Sequence, residues 1–114
     1  MSGFKDTYQK FINLAIAAEK LSDSPKLDAV EKRILNLLSV YWSNKQQVTV
    51  VEAMNMTGEI STSTIFRYLK RLRQKGYLEL VIDDMDNRVK YVSSTKQTDR
   101  YFARLGKFMS EAAK

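Results

Sequence analysis

Between Ser61 and Leu80 the chain carries five cations, Arg67, Lys70, Arg71, Arg73 and Lys75, against the single anion Glu79. That stretch holds most of the +6 net charge of the whole chain. Arg67, Lys70 and Arg71 stand three and four residues apart, the step that places side chains on one helical face. Such a row can neutralise phosphates, and an arginine can also pair bidentately with the edge of a guanine. Ser61, Thr62 and Ser63 open the same stretch. Hydroxyls there can cap a helix or hydrogen-bond a phosphate at its N-terminus, and both readings stand. Phe66 likewise has two readings: an outward residue resting on a thymine methyl, or a core residue if the helix is rotated by one position. A second polar group follows at Asp86, Asn87, Arg88 and Lys90, where an aspartate two residues before an arginine can orient its guanidinium.

Other chemistry is thinly supplied. The chain has no cysteine and no histidine, which removes thiol nucleophiles, imidazole bases, zinc fingers and most transition-metal sites. Only four glycines are present, and they form no phosphate-cradling loop. The expectation is a protein that is not an enzyme and uses no cofactor or metal. At 114 residues, 44% hydrophobic and 28% charged, it reads as one ordinary globular domain. No apolar run approaches the roughly 18 residues that cross a bilayer. The opening residues lack a basic stretch followed by an apolar one. A cytoplasmic protein without membrane contact is expected.

The elements that must position these groups follow from periodicity. Phe4, Tyr8, Phe11, Ala15 and Ala18 predict a helix over 3–21, and Ile12, Leu14, Ile16 and Leu21 widen its apolar girth. Ser22 to Pro25 break it. Leu27, Val30, Ile34, Leu37, Leu38 and Tyr41 give a second helix over 26–42, with Asp28, Glu31, Lys32 and Arg33 on its solvent face. Thr49 and Glu52 have capping-box spacing and open a short helix over 50–56. Thr57, Gly58 and Glu59 turn the chain, and Ile60 returns to the core. The basic helix runs from Ser61 to Gly76, with Ile65, Tyr68, Leu69 and Leu72 inward. Thereafter the period is two: Tyr77–Ile82 and Arg88–Ser93 form a hairpin across the turn residues Asp83 to Asn87. Ser94 and Gln97 resemble a second capping box opening a last helix to about residue 112, with Tyr101, Phe102, Leu105, Phe108, Met109 and Ala112 apolar.

Helix, helix, short helix, turn, basic helix, hairpin, helix is a mainly α winged helix-turn-helix with a small β-hairpin. The stretch from Leu27 to Thr95 resembles the MarR family of winged-helix transcription regulators. Ser63 to Leu72, followed by Gly76, is similar to that family's recognition helix and the turn into its wing. Asp86, Arg88 and the later Thr95 resemble its wing signature, with Ser94 in place of a leucine. The resemblance implies a winged-helix core at 27–95 within a single domain of residues 1–114. The helices at 3–21 and 97–112 would then be dimerisation helices, with Phe4, Tyr8, Phe11, Tyr101, Phe102, Leu105, Phe108 and Met109 at the interface. It implies a homodimer on double-stranded DNA, reading an inverted repeat. Arg67, Lys70 and Arg71 would act in the major groove. Arg88, oriented by Asp86 and flanked by Asn87 and Lys90, would enter the minor groove. A small-molecule effector between the dimer helices and the winged core is also implied. Winged helices also serve protein contact, so an adaptor module without sequence-specific DNA binding is the alternative.

Overall fold

Ile34, Leu35, Leu38, Val48, Ile65 and Leu72 are fully buried, and their spacing explains how the chain builds around them. The computed structural model describes residues 3–114. The elements are α1 (Phe4–Leu21), α2 (Ala29–Ser43), α3 (Val50–Met54), α4 (Thr62–Gln74), β1 (Leu78–Ile82), β2 (Lys90–Ser94) and α5 (Lys96–Ala112). Leu27–Thr98 is one compact unit; the residues up to Lys26 and from Asp99 onward make a second.

In the first unit, α2 begins three residues later than its periodicity predicts, because Asp28 caps it. The Asp28 carboxylate accepts from the Glu31 amide at 2.8 Å, and the Glu31 carboxylate accepts from the Asp28 amide at 2.8 Å. This reciprocal pair satisfies two amides that no helix can satisfy for itself. Glu31 is therefore not on the solvent face: it is 0% exposed. The predicted box at Thr49 and Glu52 forms as well, at 3.1 and 3.0 Å. It opens an α3 that stops at Met54, and backbone hydrogen bonding to Thr49 chiefly holds the Glu52 carboxyl below its ordinary range. Ile65, Leu69 and Leu72 of α4 point inward at helical spacing and bury against the rest of the unit.

β1 and β2 pair antiparallel with Leu78 opposite Ser94, Leu80 opposite Val92 and Ile82 opposite Lys90. Each strand is shorter than the alternation suggests, and Arg88 lies in the turn rather than in β2. Val48 and Thr49 add a short third edge. The Val92 amide donates to the Val48 carbonyl at 2.7 Å, and Thr49 bridges to Tyr91. The Trp42 indole donates to the Val92 carbonyl at 3.1 Å, so both polar groups of Val92 are satisfied across elements.

The last helix starts one residue later than the Ser94–Gln97 box would place it. Thr95 is the cap, accepting from the Thr98 amide at 3.3 Å. The same threonine and two of its neighbours also serve the end of α4. Gln97 Nε2 donates to the Lys75 carbonyl at 2.9 Å, Thr95 Oγ1 to Gly76 at 2.6 Å and Thr98 Oγ1 to Tyr77 at 2.5 Å. Three successive carbonyls at the α4–β1 joint are thus clasped by three side chains. The joint turns on Gly76, whose φ of +86° is the left-handed conformation that favours glycine.

In the second unit, α1 has no buried residue. Phe4 is 96% exposed and Tyr8 62%, while Phe11 is half-buried with its ring centroid 6.4 Å from that of Tyr8. Tyr101, Phe102, Leu105 and Phe108 of α5 are half-buried and Met109 is exposed. Among the described residues, no helix is long and apolar enough to cross a membrane.

Candidate nucleic-acid interface

The N-terminus of α4 is a cluster of hydroxyls. Ser61 Oγ accepts from the Thr64 amide at 3.2 Å and donates to Thr64 Oγ1 at 2.8 Å. Ser61 is thus the cap, while Thr62 and Ser63 stay exposed in the first turn. Arg67 Nη2 leans back toward Thr64 Oγ1 at 3.4 Å, one turn along the same face.

The two readings of Phe66 are separated by the helix's rotation. It is 39% exposed and faces outward, with Lys70 Nζ 4.8 Å from its ring centroid. An ammonium over an aromatic face is a favourable arrangement at this spacing. Arg73 is exposed on the same side. The outward face of α4 therefore presents Phe66, Arg67, Lys70 and Arg73.

Arg71 and Lys75 take a different direction. Arg71 Nη2 is 3.2 Å from Asp28 Oδ2, and its guanidinium lies 4.7 Å over the Tyr68 ring. Lys75 Nζ donates to Glu31 Oε1 at 2.7 Å. Two of the five cations in the basic stretch are thus engaged by the first turn of α2. Helical spacing groups Arg71 with Arg67 and Lys70; the structure does not. A signal was present, since Asp28 and Glu31 carry capping-box spacing of their own.

At the hairpin tip, aspartates organise the backbone. Asp83 Oδ2 accepts from the amides of Met85 and Asp86, each at 2.9 Å, and Asp83 Oδ1 accepts from the Tyr91 hydroxyl at 2.9 Å. That Tyr91 bond, with the two amides, holds the Asp83 carboxyl below its ordinary range. The same bond raises the Tyr91 phenol above its own. Asp86 receives Arg88 Nε at 3.0 Å and Nη2 at 3.1 Å, a bidentate grip reinforced by the Arg88 amide at 3.0 Å. The Arg88 side chain lowers the Asp86 carboxyl, and Asp86 raises the guanidinium. Arg88 nonetheless remains 87% exposed. Its direction is fixed and its donors face solvent. Asn87 and Lys90 flank it in the turn and at the start of β2.

A pocket of about 500 Å³ joins the helix to the wing. Phe66, Lys70 and Arg73 form one wall, Arg88 and Lys90 the other, and Val50, Leu69, Leu78 and Val92 are among its apolar lining. Groups far apart in sequence therefore border one concavity. Neither the pocket nor the isolated bridge beside Val48 is visible in the periodicity, because both depend on how the hairpin returns to α3. Among the described residues no group of three His, Cys, Asp or Glu side chains could hold a metal.

A short helix leading into an exposed basic helix, followed by a hairpin that presents an oriented arginine, defines a winged helix-turn-helix. No protein-family model matches the sequence, and no curated protein matches it. Solved structures do match. MepR of S. aureus bound to ethidium bromide is 14% identical, with a TM-score of 0.68 over 94% of this chain and 69% of that one. The heme sensor protein PefR from Streptococcus agalactiae, in complex with heme, is 19% identical, with a TM-score of 0.60 over 97% of this chain and 76% of that one. A mutant MarR from E. coli complexed with operator DNA is 20% identical, with a TM-score of 0.58 over 90% of this chain and 67% of that one. The fold is the MarR-type winged helix.

Proposed function

We propose that this protein is a DNA-binding transcription regulator that works as a homodimer on an inverted repeat. One observation carries the reading: exposed cations of α4 and of the wing border a single concavity on one face. On this reading α4 lies in the major groove, with Arg67 and Lys70 at base edges or phosphates and Phe66 against a thymine methyl. Thr62 and Ser63 hydrogen-bond phosphate at the start of α4, beside the capping Ser61. Arg88, held by Asp86, reaches the minor groove, with Asn87 and Lys90 on the adjoining backbone. The MarR neighbour in complex with operator DNA supports this assignment. The exposed Phe4, Tyr8 and Met109 support a second copy as partner. Light scattering on the eluting protein should then return twice the 13.2 kDa chain mass. The neighbours holding ethidium and heme support a small-molecule effector.

The direct test is selection from a random duplex library at about 100–150 mM salt, where non-specific binding is weak. The reading expects a two-fold symmetric motif with half-sites about 34–36 Å apart. Replacing Arg67 and Arg88 by glutamate should abolish the enrichment. Binding that is weak, unselective and lost as salt rises would overturn it in favour of an adaptor module.

A further inference from the structure

The cradle at the start of α2 touches no part of the outward face, yet it holds two side chains of the helix that presents that face. We propose that Asp28 and Glu31 are positioning residues for sequence discrimination. They set the pose of α4 by keeping Arg71 and Lys75 on the protein and off the nucleic acid. This rests on the duplex-reading function proposed above.

Four observations support it. Glu31 is fully buried, a charged side chain within a largely apolar core. Its Oε1 accepts twice, from the Asp28 amide at 2.8 Å and from Lys75 Nζ at 2.7 Å. The carboxylates sit at the N-terminus of α2 and the cations at the C-terminus of α4, so each helix end meets the charge its dipole favours. Finally, Glu31 Oε2 is buried without a hydrogen-bond partner, and Arg71 Nε stands 4.0 Å away.

Arg71 spans both carboxylates, with Nη2 3.2 Å from Asp28 Oδ2 and Nε 4.0 Å from Glu31 Oε2. A guanidinium presents several donors in a fork, so one side chain compensates both charges at once. Together with Lys75 it ties the last turns of α4 to the start of α2, and that tie sets the pose in which Arg67 meets a base edge.

The experiment compares two substitutions with a phosphate-facing control. Asp28→Asn keeps a good helix cap but removes the charge opposite Arg71, and Asp28 is exposed enough for the chain to fold. Glu31→Gln keeps the reach-back to the Asp28 amide but removes the charge opposite Lys75. Affinities are measured for the selected operator and for a mixed-sequence duplex across a salt series, with Lys70→Met as control. Both cradle variants should show about a tenfold smaller ratio of operator to mixed-sequence affinity. Their salt slopes should be no flatter than wild type, and steeper wherever the released Arg71 or Lys75 reaches a phosphate. Lys70→Met should instead weaken both duplexes alike and flatten the slope by about one for each phosphate it no longer neutralises. A merely unfolded fraction lowers both affinities equally and leaves the ratio alone, so it would overturn the proposal. So would an unchanged ratio in Asp28→Asn, or a flattened slope in Arg71→Met or Lys75→Met. Wild-type protein that binds no duplex would overturn the function itself, a result distinct from any of these.

Discussion

Gly76 joins the basic helix to the wing, and replacing it by alanine tests whether that joint needs glycine. At φ +86° an L-residue costs about 1–2 kcal/mol through the approach of its Cβ to the carbonyl oxygen. The new methyl would also stand 3.1 Å from Gln97 Oε1 and 3.5 Å from Nε2. The amide would have to give by a few tenths of an ångström, weakening its 2.9 Å bond to the Lys75 carbonyl. A hydrogen bond of this kind contributes about 0.5–1.5 kcal/mol. Gly76→Ala should therefore destabilise the chain by about 2–3 kcal/mol. In urea the midpoint should fall with no change in slope, and Tm should drop by about 8–12 °C. In a Gln97→Ala background, where the clash and the bond are already gone, the same substitution should cost only the backbone part, about 1–2 kcal/mol. A cost below about 0.5 kcal/mol in wild type would refute the conformational argument. Equal costs in both backgrounds would refute the part assigned to Gln97.

Removing the hydroxyl-to-carboxylate bond by Asp83→Asn should lower the Tyr91 phenol toward its ordinary value, read by NMR titration of that ring. The wing tip should also depend on pH at both ends. Asp83 and Asp86 are depressed in the fold, so their contribution is present above the ordinary aspartate range and is lost as pH falls through their folded values. Tyr91 is raised, so its contribution is complete below the ordinary tyrosine range and is lost as pH rises through its folded value. Protection of the Met85 and Asp86 amides, taken relative to intrinsic exchange at each pH, should fall beyond either edge and hold between them. Trp42→Phe removes the donor to the Val92 carbonyl and should cost about 1 kcal/mol in chemical denaturation. Ile65→Ala empties a fully buried site in α4 and should cost about 2–5 kcal/mol, with duplex affinity falling as the helix loosens.

Much of the fold is legible because its determinants are local. Ile34 and Leu38, or Ile65, Leu69 and Leu72, announce helical faces by spacing, and Asp83 to Asn87 announce the hairpin by turn chemistry. The outward set of Phe66, Arg67 and Lys70 follows from the same period. What escapes is decided by partners distant in sequence. Glu31 looks like a solvent-facing charge until Lys75 arrives 44 residues later. Arg71 lies beside Arg67 and Lys70 by helical spacing, yet Asp28 draws it away. Val48 stands between two predicted helices, and only the returning β2 gives its carbonyl a backbone partner. Gln97 has the right spacing to cap its own helix, yet its Nε2 donates to the carbonyl of Lys75, 22 residues away.

The clasp at the α4–β1 joint ties Tyr77 to Thr98, 21 residues apart. The hairpin is thus a loop whose two ends are anchored to each other, independently of what its apex contains. Met85, at that apex, is 93% exposed. Extra residues inserted between Asp84 and Met85 would displace the two amides that Asp83 holds in the turn and add closure entropy of about 0.6 kcal/mol for each doubling of loop length. The wing can therefore lengthen or shorten while the basic helix stays where it is. Its apex is a port for grafting, and the reach of the protein across a duplex can be tuned there without disturbing the core.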